Sequence, residues 1–166
     1  MMRTVKVKKL TRDAFNKYGQ FSGAFAEGEY FFDGGYFKFY RDMIQQKLVR
    51  ETTVSYSLAR IEKREPLLES LEYHDYCEEM ILPLNSDLLM CVAPATGGTE
   101  APLDEVECFY IPAGTFVGVK AGVWHGMPFA TGEAPADVLC MLPERTYMKD
   151  CKVFAMEGED RIKVKR

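Results

Sequence analysis

From residue 72 to residue 155 the chain is a succession of short apolar runs cut by glycine, proline and polar turns, with little that reads as helix. EEMILPL and DLLMCVAP flank a turn at Asn85-Ser86, and a polar loop covers about 94–105. VECFYI, TFVGVK, the VWHGMPF region, ADVLCML and CKVFAM follow. Many short strands at this spacing predict an all-β fold, a small barrel or sandwich.

The first part of the chain is more mixed. TVKVKKL alternates as a strand should, and Thr11 offers an N-cap for a short helix that Gly19 can end. Residues 20–29 are Gly- and Phe-rich and read as irregular. Asp33-Gly34-Gly35 marks a turn between the aromatic runs EYFF and YFKFY. TTVSYSLAR is β-branched and alternating, while residues 65–71, with Pro66 near their start, predict one helical turn. The basic ends, VKVKK and RIKVKR, alternate with apolar residues and read as edge or near-edge strands with a solvated lysine face.

Composition excludes some classes of function. With 166 residues, a single domain over residues 1–166 is expected, large enough to bury a core. A net charge of −4 recommends neither nucleic acid nor an anionic membrane as partner. No apolar run approaches the ~20 residues of a membrane span. Five cysteines, with no C-x-x-C pair and no secretory signal, point to a reducing cytoplasm. Most of them read as small buried apolar side chains.

The chemistry concentrates in two segments, Glu72-Tyr73-His74-Asp75-Tyr76-Cys77-Glu78-Glu79 and Gly114 to His125, which hold the only two histidines. Residues two apart on a strand share a face, so Glu72 and His74 project together, and Glu79 can rejoin them after a bend. If the segments face each other in a barrel, His125 completes a set of two nitrogens and two carboxylates. Such a set makes a pocket for a divalent metal (Mn, Zn, Fe or Ni), a small carboxylate substrate, or both.

These segments resemble the cupin motifs, G-x5-H-x-H-x3,4-E-x6-G and G-x5-P-x-G-x2-H-x3-N. The second segment keeps Gly114, Gly122 and His125 at the right spacing, with Lys120 and Phe129 at the Pro and Asn positions. The first keeps His74 and Glu79, with Glu72 at the first His position and Ser86 at the closing Gly. More narrowly, LTRDAFNKYGQ, FFDGGYFKFYRDM, TTVSYSLAR, LEYHDYCEEMILPL and VWHGMPF occur in the order of the ureidoglycolate lyase family. The resemblance implies a cupin-like, jelly-roll β-barrel with short N-terminal helical decoration. It also implies a lyase releasing urea from (S)-ureidoglycolate to leave glyoxylate, within purine breakdown through allantoin.

The residue types and spacing place a metal on Glu72, His74, Glu79 and His125. Proton transfer goes to His125 and Glu72 with help from Lys120. Arg60 reads as a clamp for the substrate carboxylate by its charge and Trp124 as packing for the wall beside the substrate, while Tyr40 enters substrate binding through the resemblance alone. A homodimer is implied by analogy. Two departures stand out: Glu79 where the family favours Gln, and Leu58 where it favours Arg, with Arg60 two residues on. The alternatives are a metal-dependent cupin enzyme of another small hydroxy acid or sugar, and a non-catalytic cupin that binds a small molecule.

Overall fold

The run Leu88–Ala93 is buried at every position, so its strand has protein against both faces. Leu88, Met90 and Val92 point into one apolar core; Leu89, Cys91 and Ala93 point into a second. An unbroken apolar run therefore records a strand between two layers.

The computed structural model describes residues 2–24 and 32–166. Along the chain come β1 (Arg3–Lys9), α1 (Arg12–Phe15), β2 (Gly19–Gly23), β3 (Phe32–Asp33), β4 (Lys38–Phe39), β5 (Val54–Ile61), β6 (Leu67–Leu68), β7 (Ser70–Tyr73), β8 (Glu79–Pro83) and β9 (Leu88–Ala93). After them come β10 (Glu107–Ile111), β11 (Thr115–Val119), β12 (Trp124–His125), β13 (Phe129–Ala130), β14 (Ala136–Pro143), α2 (Thr146–Lys149), β15 (Lys152–Ala155) and β16 (Ile162–Lys165). One sheet runs β15-β7-β12-β9-β10-β1-β16-β6, with β13 also on β9; a second runs β2-β11-β8-β14-β5.

The inner faces of the two sheets meet in a common core. Met90, Phe109 and Ile111 from the first pack with Ile81, Val117 and Val138 from the second, and Phe15 and Tyr18 plug one side. This is the all-β barrel that the strand pattern predicts. No helix among the described residues is long and apolar enough to cross a membrane.

Three expectations need correction. Residues 65–71 form β6 and the start of β7 rather than a helical turn, because β16 and β15 supply ladder partners for them. The lysine-rich β1 lies inside its sheet, parallel to both β10 and β16, although Lys6 and Lys8 keep their exposure. Gly19–Gly23 is a strand, paired with β11. The predicted aromatic turn stands: Asp33 Oδ1 accepts the Gly35 N–H at 2.9 Å between β3 and β4. The part of that aromatic region at 29–31, and the stretch 25–29, lie outside the described residues.

β8 and β9 belong to different sheets, so the Asn85-Ser86 turn is a corner of the barrel. Asp87 pins that corner. Its carboxylate accepts the Ala113 N–H at 2.7 Å and the Tyr110 hydroxyl, and its carbonyl accepts the Thr131 hydroxyl at 2.9 Å. The Tyr110 hydroxyl, and after it the Ala113 N–H, hold this carboxyl below the usual aspartate range. A depressed folded-state pKa stabilises above the unfolded value and is lost as pH falls through the folded one. Asp87→Asn is therefore expected to cost about 1 kcal/mol at neutral pH. The gap from wild type should close in acid. Urea unfolding across pH checks this, and a gap that stays constant into acid would contradict it.

Candidate metal centre

β7 and β12 pair antiparallel with Glu72 directly opposite His125. Strand alternation sends Leu71 and Tyr73 into the second core and leaves Glu72 and His74 on the other face. The chain then bends through 74–78 and enters the second sheet at Glu79. The centre thus sits where the two sheets meet, with Glu72 and His125 on the first, Glu79 on the second and His74 at the start of the bend between them.

The glycines of the second motif have a conformational reason. Gly114 (φ +74°) and Gly122 (φ +78°) both lie in the left-handed region, which L side chains rarely adopt. The turn at Gly122 also ties the two segments together, because its N–H donates to the His74 carbonyl at 2.7 Å.

One donor atom from each of Glu72, His74, Glu79 and His125 lies within 4.8 Å of all the others. His125 Nε2 is 2.8 Å from Glu79 Oε2 and 3.9 Å from Glu72 Oε1, and His74 Nε2 is 3.3 Å from Glu79 Oε2. His74 Nδ1 faces the Asp150 carbonyl at 2.6 Å, and His125 Nδ1 faces the Val123 carbonyl at 2.9 Å. A carbonyl only accepts, so each Nδ1 carries the hydrogen and each Nε2 turns inward.

That arrangement fits a cation. A lone pair on Nε2 aimed at a carboxylate oxygen is a meeting of two acceptors, relieved only by a proton or a positive ion between them. His125 Nε2 is buried and has no hydrogen-bond partner of good geometry, despite its short distance to Glu79. Two imidazole nitrogens with two carboxylates suit Mn, Fe, Zn or Ni. Burial opposes ionisation of Glu79, but contacts from His125 and His74 override it and hold the carboxyl well below its usual range. Burial likewise disfavours charge on His125, and Glu79 outweighs it, raising the imidazole above its ordinary value.

A cavity of about 40 Å³ adjoins the cluster, walled by Ala59, Ile61, Ile81 and Val138, with Met127 and Cys140 beside it. Its described lining includes no lysine or arginine. Burial pushes the thiols of Cys140 and Cys151 up to about 12, Glu79 and Glu72 adding to the effect at both. Cys77, within the first segment, is buried outside the cluster, with its thiol pushed up to about 11 chiefly by burial.

The other predicted site residues do not join the cluster. Arg60 lies on the outer face of β5 in a two-pronged pair with Asp137, at 2.7 and 3.0 Å. Lys120 is exposed and donates to the Asn16 and Lys17 carbonyls just beyond α1. Trp124 is 1% exposed in the second core, edge-on to Tyr73 at 4.5 Å, with its indole N–H on the Thr96 hydroxyl. It neighbours His125 on a strand, so the two rings face opposite ways. Tyr40 follows β4 and is not among the cavity residues. Asp150 and Cys151, which contact His74 and Glu72, carry no signal in the sequence because the contacts span 76 and 79 residues.

The two sheets thus form a β-barrel with a His/Glu cluster on its inner wall, the arrangement expected from the cupin-like motifs. The family model for ureidoglycolate lyase matches residues 2–164. The chain belongs to that family, a family of lyases. No curated protein sequence matches the chain significantly. Among solved structures, it is similar to Bacillus subtilis oxalate decarboxylase described for its Mn(II) centres, and to an oxalate decarboxylase described for its substrate binding mode. Each aligns at 17% identity and a TM-score of 0.45, over 62% of this chain and 24% of that one. A deletion variant aligns at 19% identity and TM-score 0.42, over 55% and 22%. This chain therefore spans about a quarter of the decarboxylase chains it matches.

Proposed function

We propose that this protein is a ureidoglycolate lyase working with a divalent cation held by Glu72, His74, Glu79 and His125. The observation that carries this reading is the convergence of those four donors within 4.8 Å beside a cavity, in a chain that matches the family nearly end to end. Ureidoglycolate bears a hydroxyl and a ureido nitrogen on the carbon next to its carboxylate. The hydroxyl proton leaves, its oxygen becomes the glyoxylate carbonyl as the C–N bond breaks, and the nitrogen gains a proton and departs as urea. When bound, a divalent cation supplies charge to hold the substrate's oxygens and lower the hydroxyl pKa.

The chain's own groups divide the remaining work. Both nitrogens of His125 are committed, Nδ1 to Val123 and Nε2 to the cluster, so the proton-carrying role falls to Glu72 through Oε2, the oxygen not offered to the cation. Its side chain is 31% exposed, at the boundary between cavity and solvent. Glu79 is enclosed by the two imidazoles and acts as a fixed charge. Ala59, Ile61, Ile81 and Val138 keep the inner side dry. A cavity of about 40 Å³ admits the substrate's oxygens rather than the whole molecule, which leaves the ureido group toward Met127, 53% exposed.

The reading includes a single cupin-like domain and a cytoplasmic homodimer. Support for pairing comes from β5, an edge strand that turns Tyr56 and Leu58 outward at 71% and 73% exposure. The first test is to incubate racemic ureidoglycolate with chelator-stripped protein, with and without Mn²⁺. Urea and glyoxylate are expected in equal amounts, and only with the cation present. Folded, Mn²⁺-treated protein that releases neither would remove the substrate assignment. That result would leave a metal-dependent enzyme of another small hydroxy acid or sugar, which Glu79 favours because its charge makes a stronger cation site than glutamine, and a non-catalytic small-molecule-binding cupin.

A further inference from the structure

Two of the four cluster residues are held from behind by one dipeptide, Asp150-Cys151, at the junction of α2 and β15. The Asp150 carbonyl accepts from His74 Nδ1 at 2.6 Å, and the Cys151 thiol donates to Glu72 Oε2 at 3.0 Å. The Asp150 carboxylate accepts the N–H groups of Asp75 and Tyr76 at 2.9 and 2.8 Å, clamping the bend that leads from His74 to Glu79. Asp150 is itself buried, and its N–H is bound to the Thr146 carbonyl at 2.8 Å, so α2 sets its place.

This clamp decides what the cluster can offer. A carboxylate can give a cation one oxygen or both. With Oε2 taken by the thiol, Glu72 presents Oε1, the oxygen that faces His125 Nε2. With Nδ1 occupied, His74 turns Nε2 to the same point. We propose that Asp150-Cys151 is the positioning element of the centre, fixing Glu72 Oε1 and His74 Nε2 on one point so that a cation meets donors already in place. The proposal rests on the reading that the cluster holds a divalent cation. Neither residue touches substrate; each acts through the ligand it holds.

The test is calorimetric titration of Mn²⁺ into metal-free wild type, Cys151→Ala, Cys151→Ser and Asp150→Asn, with thermal midpoints measured alongside. Cys151→Ala is expected to bind Mn²⁺ about tenfold more weakly than wild type, and Cys151→Ser, whose hydroxyl can also donate, within about threefold of it. Both should melt near the wild-type temperature, so that a folding defect does not account for the loss. Asp150→Asn keeps the backbone carbonyl that holds His74 and weakens only the clamp on the bend, and is expected to lose about tenfold in affinity. Cys151→Ala binding Mn²⁺ as tightly as wild type would overturn the proposal. A wild type that takes up no Mn²⁺ would overturn the metal reading beneath it, a distinct result from equal binding by all four proteins.

Discussion

His125→Ala is expected to lower kcat/KM for urea release by roughly 10³-fold, equivalent to about 4 kcal/mol of transition-state stabilisation. The size of the effect follows from the lack of a substitute. β12 is two residues long, and its other side chain, Trp124, faces the second core. The next residue, Gly126, has no side chain, and a Cβ there would lie 2.5 Å from Leu68 and 3.3 Å from the Ser70 carbonyl. Among the described residues that line the cavity, no other side chain carries a nitrogen to take the vacated position. The substitution also strips Glu79 of its nearest partner, leaving His74 at 3.3 Å to offset a buried carboxylate. Steady-state turnover with saturating Mn²⁺, with circular dichroism confirming the fold, checks the expectation. Activity within tenfold of wild type would mean that His125 is a satisfied wall residue.

Gly19→Ala should be the most damaging small substitution for stability, at about 3 kcal/mol or more, because it overpacks backbone against backbone. A Cβ at residue 19 would lie 1.8 Å from the Gly118 carbonyl oxygen, 2.9 Å from its carbon and 3.2 Å from the Phe15 ring. Two of these are main-chain atoms of β11, so no rotamer change relieves the clash. Relief would mean parting β2 from β11, which pair from Gly23↔Thr115 through Gly19↔Val119. It would also loosen Phe15, fully buried in the inter-sheet core. Gly23→Ala, at the other end of the same strand, meets nothing within 4 Å and is expected to be neutral or slightly stabilising. Thermal melts of the two variants side by side separate close approach from any general dislike of alanine in β2.

What could be read from the residues alone was whatever short-range periodicity or spacing encodes. Short apolar runs between turn residues identified most strands, and alternation identified β1 and β5. Thr11 signalled its own helix cap, realised as the Thr11 hydroxyl accepting the Ala14 N–H at 3.3 Å. The two-residue spacing of Glu72 and His74 is a local rule, and it holds here because β7 is a regular strand up to the bend. The glycines at 114 and 122 and the histidine at 125 could be found by spacing because each turn requires a left-handed residue at a set place.

Sheet membership, outward or inward orientation and long-range hydrogen bonding were decided only by the tertiary structure. Residues 65–71 carry a composition that permits a helical turn, and pairing with β15 and β16, far along the chain, outweighs that weak local preference. β1 looks like an edge strand by its lysines, yet the last strand of the chain closes against it. Arg60 and Lys120 have the right charge for a carboxylate, but Arg60 alternates with the cavity-lining Ala59 and Ile61 and so faces out to Asp137, while Lys120, just past β11, reaches the carbonyls beyond α1. The Asp150-Cys151 clamp belongs to the same class, since contacts spanning more than seventy residues obey no periodicity. A strand's pattern specifies which residues share a face; only its partners settle what that face meets.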